Sequence, residues 1–374
     1  MAFYQTIRIQ LMKKLLVLSF FILSSSLYNL CNAQYTDILN FDTINGQFPL
    51  GSLNLSGNKL YGVVAEGGAN AVGLVFSLDT NGNNFKDLLD FDITNGRKPT
   101  GSLVLSGTKL FGMNAFGGAD GNGNVFTLDT NGNNYQDLLD FNTTNGDVPL
   151  GSLTLSGTVL YGMTNSGGTN GYGTIFSIDT NGSGYKKVLD FTNTNGSLPK
   201  GDVTIYGGDL VGMTEVGGAN GRGLIFSIDT SGNWYQDLLD FDFTNGQYPN
   251  GSLILSGNIM YGMTEDGGKE ENGLIFSFKD VELQVNKIVA STVAINIYPN
   301  PSNGIFTMQS SVNSDRMSVE IYNMIGEKVY SQFYTDIRSQ FTINLSNQPN
   351  GIYPYRVIGV SRELIGEGKL IIQK

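Results

Sequence analysis

Apolar residues occur along this chain in short runs, each closed by Gly, Asn, Asp or Thr, and the arrangement returns every 50 residues. Five copies follow one another without insertion or deletion, marked by Gly-Gly pairs at Gly67-Gly68, Gly117-Gly118, Gly167-Gly168, Gly217-Gly218 and Gly267-Gly268. The shared frame reads GSLxLSGxxLYGMTxxGGxxxxGxxFSxDTNGxxYxDLLDFxxTNGxxP. Self-similarity at so long a period marks a solenoid or a propeller. In the second copy, residues 102–106 predict a strand, Gly107-Thr108 a two-residue type II′ turn, and residues 109–113 the returning strand. A Gly-rich loop over 114–123 follows, then a third strand over 124–128. Asp129-Thr130-Asn131-Gly132 carries the Asn-Gly signal for positive φ at both central turn positions, and residues 136–141 form the fourth strand. No segment has helical periodicity, so each copy is a four-stranded antiparallel meander.

Leu138 and Leu139 are adjacent, as are Val125 and Phe126, which reads as a sheet apolar on both faces. Such a sheet has to be sandwiched between two others. Tyr35–Phe41 aligns with the fourth strand of later copies, while the fifth copy stops after its third strand at 274–278. Pairing these two segments would close a ring and remove both exposed edges. The expected architecture is all-β: a five-bladed β-propeller over residues 34–279, with an open β-solenoid as the alternative.

Composition bears on compartment. The chain has 374 residues, a net charge of -11, no His and 50 Gly, with 40% hydrophobic residues. This suits turn-dense β-structure. An acidic chain without basic patches argues against nucleic-acid binding and is unhelpful for docking on anionic lipid. Lys13-Lys14, the apolar run 15–23 and Ala33 before Gln34 read as a secretory signal over 1–33, with Met12 a plausible start. The run is shorter than a spanning helix, so no membrane span is expected after cleavage. Asn29 and Leu30 before Cys31 do not suit a lipidation site.

Beyond a linker at 280–294 the 50-residue frame is gone. Strand-like segments punctuated by Pro-Asn-Pro and Gly predict a small C-terminal β-sandwich over 295–374. The repeat frame over 41–278 resembles the GloVer tandem repeats of secreted bacterial proteins, and by analogy kelch propellers; neither resemblance implies a ligand or reaction. The C-terminal segment resembles the type A sorting domain of type IX secretion in Bacteroidetes-like bacteria. The residues carrying this are Pro299, Asn300, Pro301, Gly304, Tyr322, Gly326, Gly351, Tyr353 and Lys374. Pro354 departs from the pattern and is expected to disturb its strand. The resemblance implies the secretion machinery as a partner and a secreted or surface destination.

Without His there is no Ser-His-Asp arrangement and no histidine metal ligand, and no catalytic, metal or cofactor site is expected. Asp79, Asp129, Asp179 and Asp229, and likewise Asp90, Asp140, Asp190 and Asp240, recur once per copy and suit turn caps or bridges between copies. Function should lie where the copies differ. The longer loops 42–50 and 64–73, with their equivalents, share one rim. Their variable residues Phe48, Glu66, Arg97, Lys98, Phe116, Tyr172, Arg222, Tyr248 and Asp266 are candidate contacts for a glycan or protein ligand. The alternatives are a glycosidase with inward carboxylates, for which Asp202 is the one acidic departure, or a structural matrix protein.

Overall fold

The computed structural model describes residues 35–279, 295–310, 317–324, 327–334, 340–359 and 364–374. The proposed signal, the 280–294 linker and Gly326 lie outside these. Among the described residues every regular element is a β-strand. The first repeat sheet holds β1 (Asn54–Ser56), β2 (Lys59–Val64), β3 (Leu74–Asp79) and β4 (Lys86–Asp90). The second holds β5 (Val104–Ser106), β6 (Lys109–Asn114), β7 (Asn124–Asp129) and β8 (Gln136–Asp140). The third holds β9 (Thr154–Ser156), β10 (Val159–Thr164), β11 (Thr174–Asp179) and β12 (Lys186–Asp190). The fourth holds β13 (Thr204–Tyr206), β14 (Asp209–Thr214), β15 (Leu224–Asp229) and β16 (Gln236–Asp240). The fifth has only β17 (Ile254–Ser256), β18 (Ile259–Thr264) and β19 (Leu274–Phe278). All neighbours are antiparallel, as the meander pattern requires.

Two compact units are distinguished, residues 1–40 and 41–374. In the first, residues 35–40 hold no strand. In the second, β19 is hydrogen-bonded to β18 alone. Among the described residues of this second unit no closed ring is found, and the five repeat sheets follow one another as an open series.

Two local readings are also corrected. The β7–β8 ladder shifts register between Val125 and Phe126, pairing Val125 with Leu139 and Phe126 with Asp137. This β-bulge leaves Leu138 as the extra residue, so Leu138 and Leu139 pack into the same junction with the third sheet rather than onto opposite faces. Val125 and Phe126 do face opposite ways, Phe126 toward the first sheet and Val125 toward the third. The Asn-Gly turn also differs. Gly132 N–H donates to Asp129 O at 2.8 Å, and only Gly132 and Asn134 take positive φ, so Thr130-Asn131 is the turn centre. The side chain of Asp129, accepting from Asn134 Nδ2 at 2.6 Å, favours this longer connection.

The sheets meet through apolar layers. At each junction a Phe following the fourth strand stands edge-on to a Phe of the next copy's third strand. The centroid distances are 5.0 Å for Phe91–Phe126, 5.1 Å for Phe141–Phe176 and 5.5 Å for Phe191–Phe226. At the start of each first strand the backbones themselves touch. Ser52 N–H donates to Ser102 Oγ at 2.8 Å and Ser102 N–H to Ser152 Oγ at 2.9 Å. Ser152 N–H then donates to the Asp202 carboxylate, and Asp202 N–H to Ser252 Oγ at 2.8 Å. Asp202 is thus one step in a ladder of acceptors.

The C-terminal strands are β20 (Ile295–Tyr298), β21 (Ile305–Ser310), β22 (Met317–Tyr322), β23 (Lys328–Tyr334), β24 (Phe341–Asn344), β25 (Gly351–Ile358) and β26 (Leu364–Ile372). They form sheets ordered β20-β21-β24 and β23-β22-β25-β26, which share one apolar cluster including Phe306, Val319 and Val357. Pro354 lies inside the continuous strand β25. It pairs with Lys369 of β26 and lies beyond the Ser318–Ile321 stretch that pairs β22 with β25, so no partner there needs its missing N–H.

Candidate functional site

The short connections β1–β2 and β3–β4 lie at one end of each sheet, so the β2–β3 loop and the link to the next sheet share the other. The structure joins these two longer loops directly. Arg97 and Phe116 exchange backbone hydrogen bonds at 2.7 and 3.1 Å, and the pairs Gln47–Glu66, Asp147–Ser166, Ser197–Val216 and Gln247–Asp266 repeat the bridge. Lys98, Val148 and Tyr248 take left-handed φ near +50° to +56°, and their N–H groups reach back to the carbonyls of Val72, Asn122 and Arg222 in the preceding copy. The rim is a continuous backbone fabric in which each copy clasps the one before.

The recurring carboxylates build this fabric. Asp140 Oδ1 accepts Ala119 N–H at 2.7 Å, and Asp90, Asp190 and Asp240 do the same for residues 69, 169 and 219. Asp129 and its equivalents close the β3–β4 type connection. Both series are structural, as their repetition implied. The loop needs glycine at its Gly-Gly pair because both residues have φ near +80°, and because a Cβ on Gly118 would lie 2.3 Å from Asp140 Oδ1.

The variable residues gather in two groups. In the first, Lys98 Nζ lies 3.3 Å from Glu66 Oε1 and the Arg97 guanidinium sits 5.4 Å over the Phe116 ring. Arg97 Nε has no hydrogen-bond acceptor. In the second, Arg222 lies 5.4 Å over the Phe243 ring and donates to the Gln247 side chain, whose Nε2 donates to Asp266 Oδ2 at 2.6 Å. Tyr248 joins this group through its N–H bond to Arg222 O at 3.1 Å. Phe48 stands exposed on the first copy, and Tyr172 lies on the third, with its carbonyl accepting Leu198 N–H. Phe243 and Gln247 were not singled out from sequence. Phe243 replaces Thr43, Ile93, Thr143 and Asn193 of the other copies, a departure visible without coordinates. A cavity of about 680 Å³ lies elsewhere, lined by Lys186, Trp234, Glu320, Lys328 and Arg356.

Two family models match the chain. The Gloeobacter/Verrucomicrobia repeat covers residues 24–218, more than half of its length. The chain belongs to the Gloeobacter/Verrucomicrobia repeat family. A secretion system C-terminal sorting domain covers residues 296–373, so both resemblances read from motifs are borne out. The sorting domain marks a secreted or cell-surface protein handled by type IX secretion. Among curated proteins none matches. Solved structures similar to parts of the chain include a DUF3244 family protein with an immunoglobulin-like β-sandwich fold from Bacteroides vulgatus. It is 20% identical, with TM-score 0.18, covering 21% of this chain and 82% of that one. An α-L-arabinofuranosidase from Podospora anserina, in complex with cellotriose, is 13% identical with TM-score 0.33, covering 63% and 92%. These likenesses fix neither fold nor activity.

Three of this chain's repeats also carry a pair of acids on the fourth strand, Asp87–Asp90, Asp137–Asp140 and Asp237–Asp240. Partial burial, then the bond to Asp90, pushes Asp87 up to about 7, and burial with the Asp240 charge pushes Asp237 up to about 6. Asp137 is raised for the same leading reason. In the third copy Lys187 takes this place and lies 2.6 Å from Asp190; burial is the largest influence and opposes ionisation of Asp190, but the bonds from Lys187 and Thr169 and the Lys187 charge together outweigh it and its pKa is lowered. Folded-state values above the unfolded ones mean that stability is full below about pH 4 and is lost as pH rises through 6–7. These carboxyls stay partly solvated, so each pair is worth only about 1 kcal/mol. Asp87→Lys with Asp237→Lys is expected to raise the melting temperature at pH 8 by several degrees and flatten its pH dependence between 5 and 8. Thermal melts across that range check it.

In the sorting domain the Pro299-Asn300-Pro301 turn is tied to the last strand. Asn300 Nδ2 donates to Lys369 O at 2.8 Å, and Asn300 Oδ1 accepts Ile371 N–H at 2.9 Å. Gly304 O accepts Leu345 N–H at 2.6 Å, and Tyr353 OH donates to Pro349 O at 2.8 Å. Lys374 Nζ donates to the Ser346 and Gln348 carbonyls, while Tyr322 shares Glu320 with Lys328 and Arg356. Gly351 opens β25 opposite Ile372. The motif therefore fastens the C-terminus into its sheet.

Proposed function

We propose that this protein is an extracellular binding module whose long-loop rim takes a glycan, with residues 34–279 as the binding array, 280–294 as linker and 295–374 as a β-sandwich that directs export. The observation that carries the reading is the pair of guanidinium-over-ring arrangements, Arg97–Phe116 and Arg222–Phe243, on one rim of a rigid scaffold. A ring offers an apolar face for a sugar, and the guanidinium N–H groups of Arg97 and Arg222 offer donors for hydroxyl or carboxylate oxygens. Glu66 and Asp266 beside them supply acceptors for sugar hydroxyls. A protein ligand would use the same donors but would need a larger contact area.

The secreted protein is expected to retain acidic or neutral polysaccharides on a glycan array. Arg97→Ala combined with Arg222→Ala should weaken the best ligand at least tenfold in calorimetry, with the melting temperature little changed. Binding that survives the double variant would remove the rim from the reading.

A further inference from the structure

The two ends of the repeat series are the two halves of its internal junctions. At the junction of the third and fourth sheets, Tyr161, Met163 and Ile175 pack against Val203 and Leu210. Those three are 7%, 2% and 0% exposed, whereas their counterparts on the last sheet, Tyr261, Met263 and Ile275, are 40%, 60% and 77% exposed. At the other end Leu53 is 54% exposed, against 4% for Leu153. The backbone contact stops in step. A Cβ on Gly51, Gly101, Gly151 or Gly201 would lie 2.1–2.7 Å from the carbonyl oxygen of the glycine 50 residues on, but Gly251 has nothing within 4 Å.

We propose that these faces join two copies of this chain head to tail, the first sheet of one docking on the last sheet of another. The internal junction is built four times from the same residue types at the same spacing, with no insertion. The exposed face of β17–β19 therefore presents the surface that β5–β7 and its equivalents bury, and the β1 side of the first sheet, with Leu53 and Leu55 exposed, presents its complement. In that register the Ser252 N–H meets Ser52 Oγ, extending the ladder across the molecular boundary. Such a contact is heterologous, so it propagates into chains instead of ending at a pair. Its ligand is a second copy of this chain, and its surface is separate from the long-loop rim.

The test uses the secreted protein in sedimentation velocity over a roughly hundredfold dilution. The wild type is expected to shift from oligomers to monomer on dilution. Gly251→Ala, which places a methyl against the incoming Gly51 backbone, and Ile275→Lys, which charges the apolar face, should each stay monomeric at every concentration. Gly251→Ala also guards against misfolding of the lysine variant, since nothing within its own chain meets the new methyl. In a Cys31→Ser background, Ser52→Cys with Ser252→Cys should oxidise to a ladder of multimers on a non-reducing gel. A wild type that remains monomeric throughout overturns the proposal. So does a disulfide formed within single chains, since it would show the two faces meeting inside one molecule.

Discussion

Gly151→Ala is expected to cost about 3 kcal/mol and to lower the melting temperature by about 6–12 °C, while Gly251→Ala costs almost nothing. The difference is not conformational, since neither glycine has positive φ. A Cβ on Gly151 would lie 2.3 Å from Gly201 O and 2.8 Å from Gly201 C, contacts with backbone that has no rotamer to yield. Relief requires the third and fourth sheets to separate. That separation stretches the Ser152 N–H bond to Asp202 and loosens the layer of Met163, Ile175 and Leu210. Gly251 closes the series and meets nothing, so its methyl only reduces the freedom of the unfolded chain. Paired thermal melts of the two variants check the prediction, and equal losses would show that the glycine column is not where the sheets are held.

The repeat, its strand content and the position of the variable loops were legible in the sequence because each is set locally. A 50-residue period, alternating short apolar runs and Gly-rich turns need no knowledge of distant contacts. Three features were not legible. Closure depends on curvature summed over five junctions, and sequence alignment of residues 35–41 with the fourth strand says which strand is missing without saying whether the ends meet. The bulge at Val125/Phe126 turns two adjacent leucines toward one junction, a change of register that an apolar pair does not announce. The Asn-Gly dipeptide predicted a tight hairpin, but the Asp129 side chain and Asn134 drew the connection into a longer one.

The candidate site was legible as a surface and not as an arrangement. Loop variability located Arg97, Lys98, Phe116, Arg222, Tyr248 and Asp266 on one rim. That Arg97 lies over Phe116, and Arg222 over Phe243, follows from the backbone bridges between loops about 20 residues apart, which no spacing rule encodes. The recurring aspartates show the reverse case: repetition marked them as structural, and their bonds to residues 69, 119, 169 and 219 agree.

Removing one phenyl ring should show how far the sheets depend on each other. Phe126→Ala is expected to destabilise the protein by about 3–5 kcal/mol. The ring is fully buried, stands edge-on to Phe91 at 5.0 Å, stacks with Tyr135 at 6.3 Å, and lies over Gly112, where a Cβ would come within 2.5 Å of it. It joins copies as well as strands, because Tyr135 beside it donates through its hydroxyl to Asn95 O at 2.8 Å. The equivalent Phe276 on the last sheet is only half-buried, so Phe276→Ala should cost roughly half as much. In an open series, stability is a sum of nearest-neighbour junctions, and a lesion at the first junction is felt differently from one at the last. Denaturant melts should accordingly show Phe276→Ala shifting only the midpoint. Phe126→Ala should also lower the slope, as the first sheet uncouples from the rest. Equal losses at the two positions would mean instead that the last sheet is as well covered as the second, and that the ends meet after all.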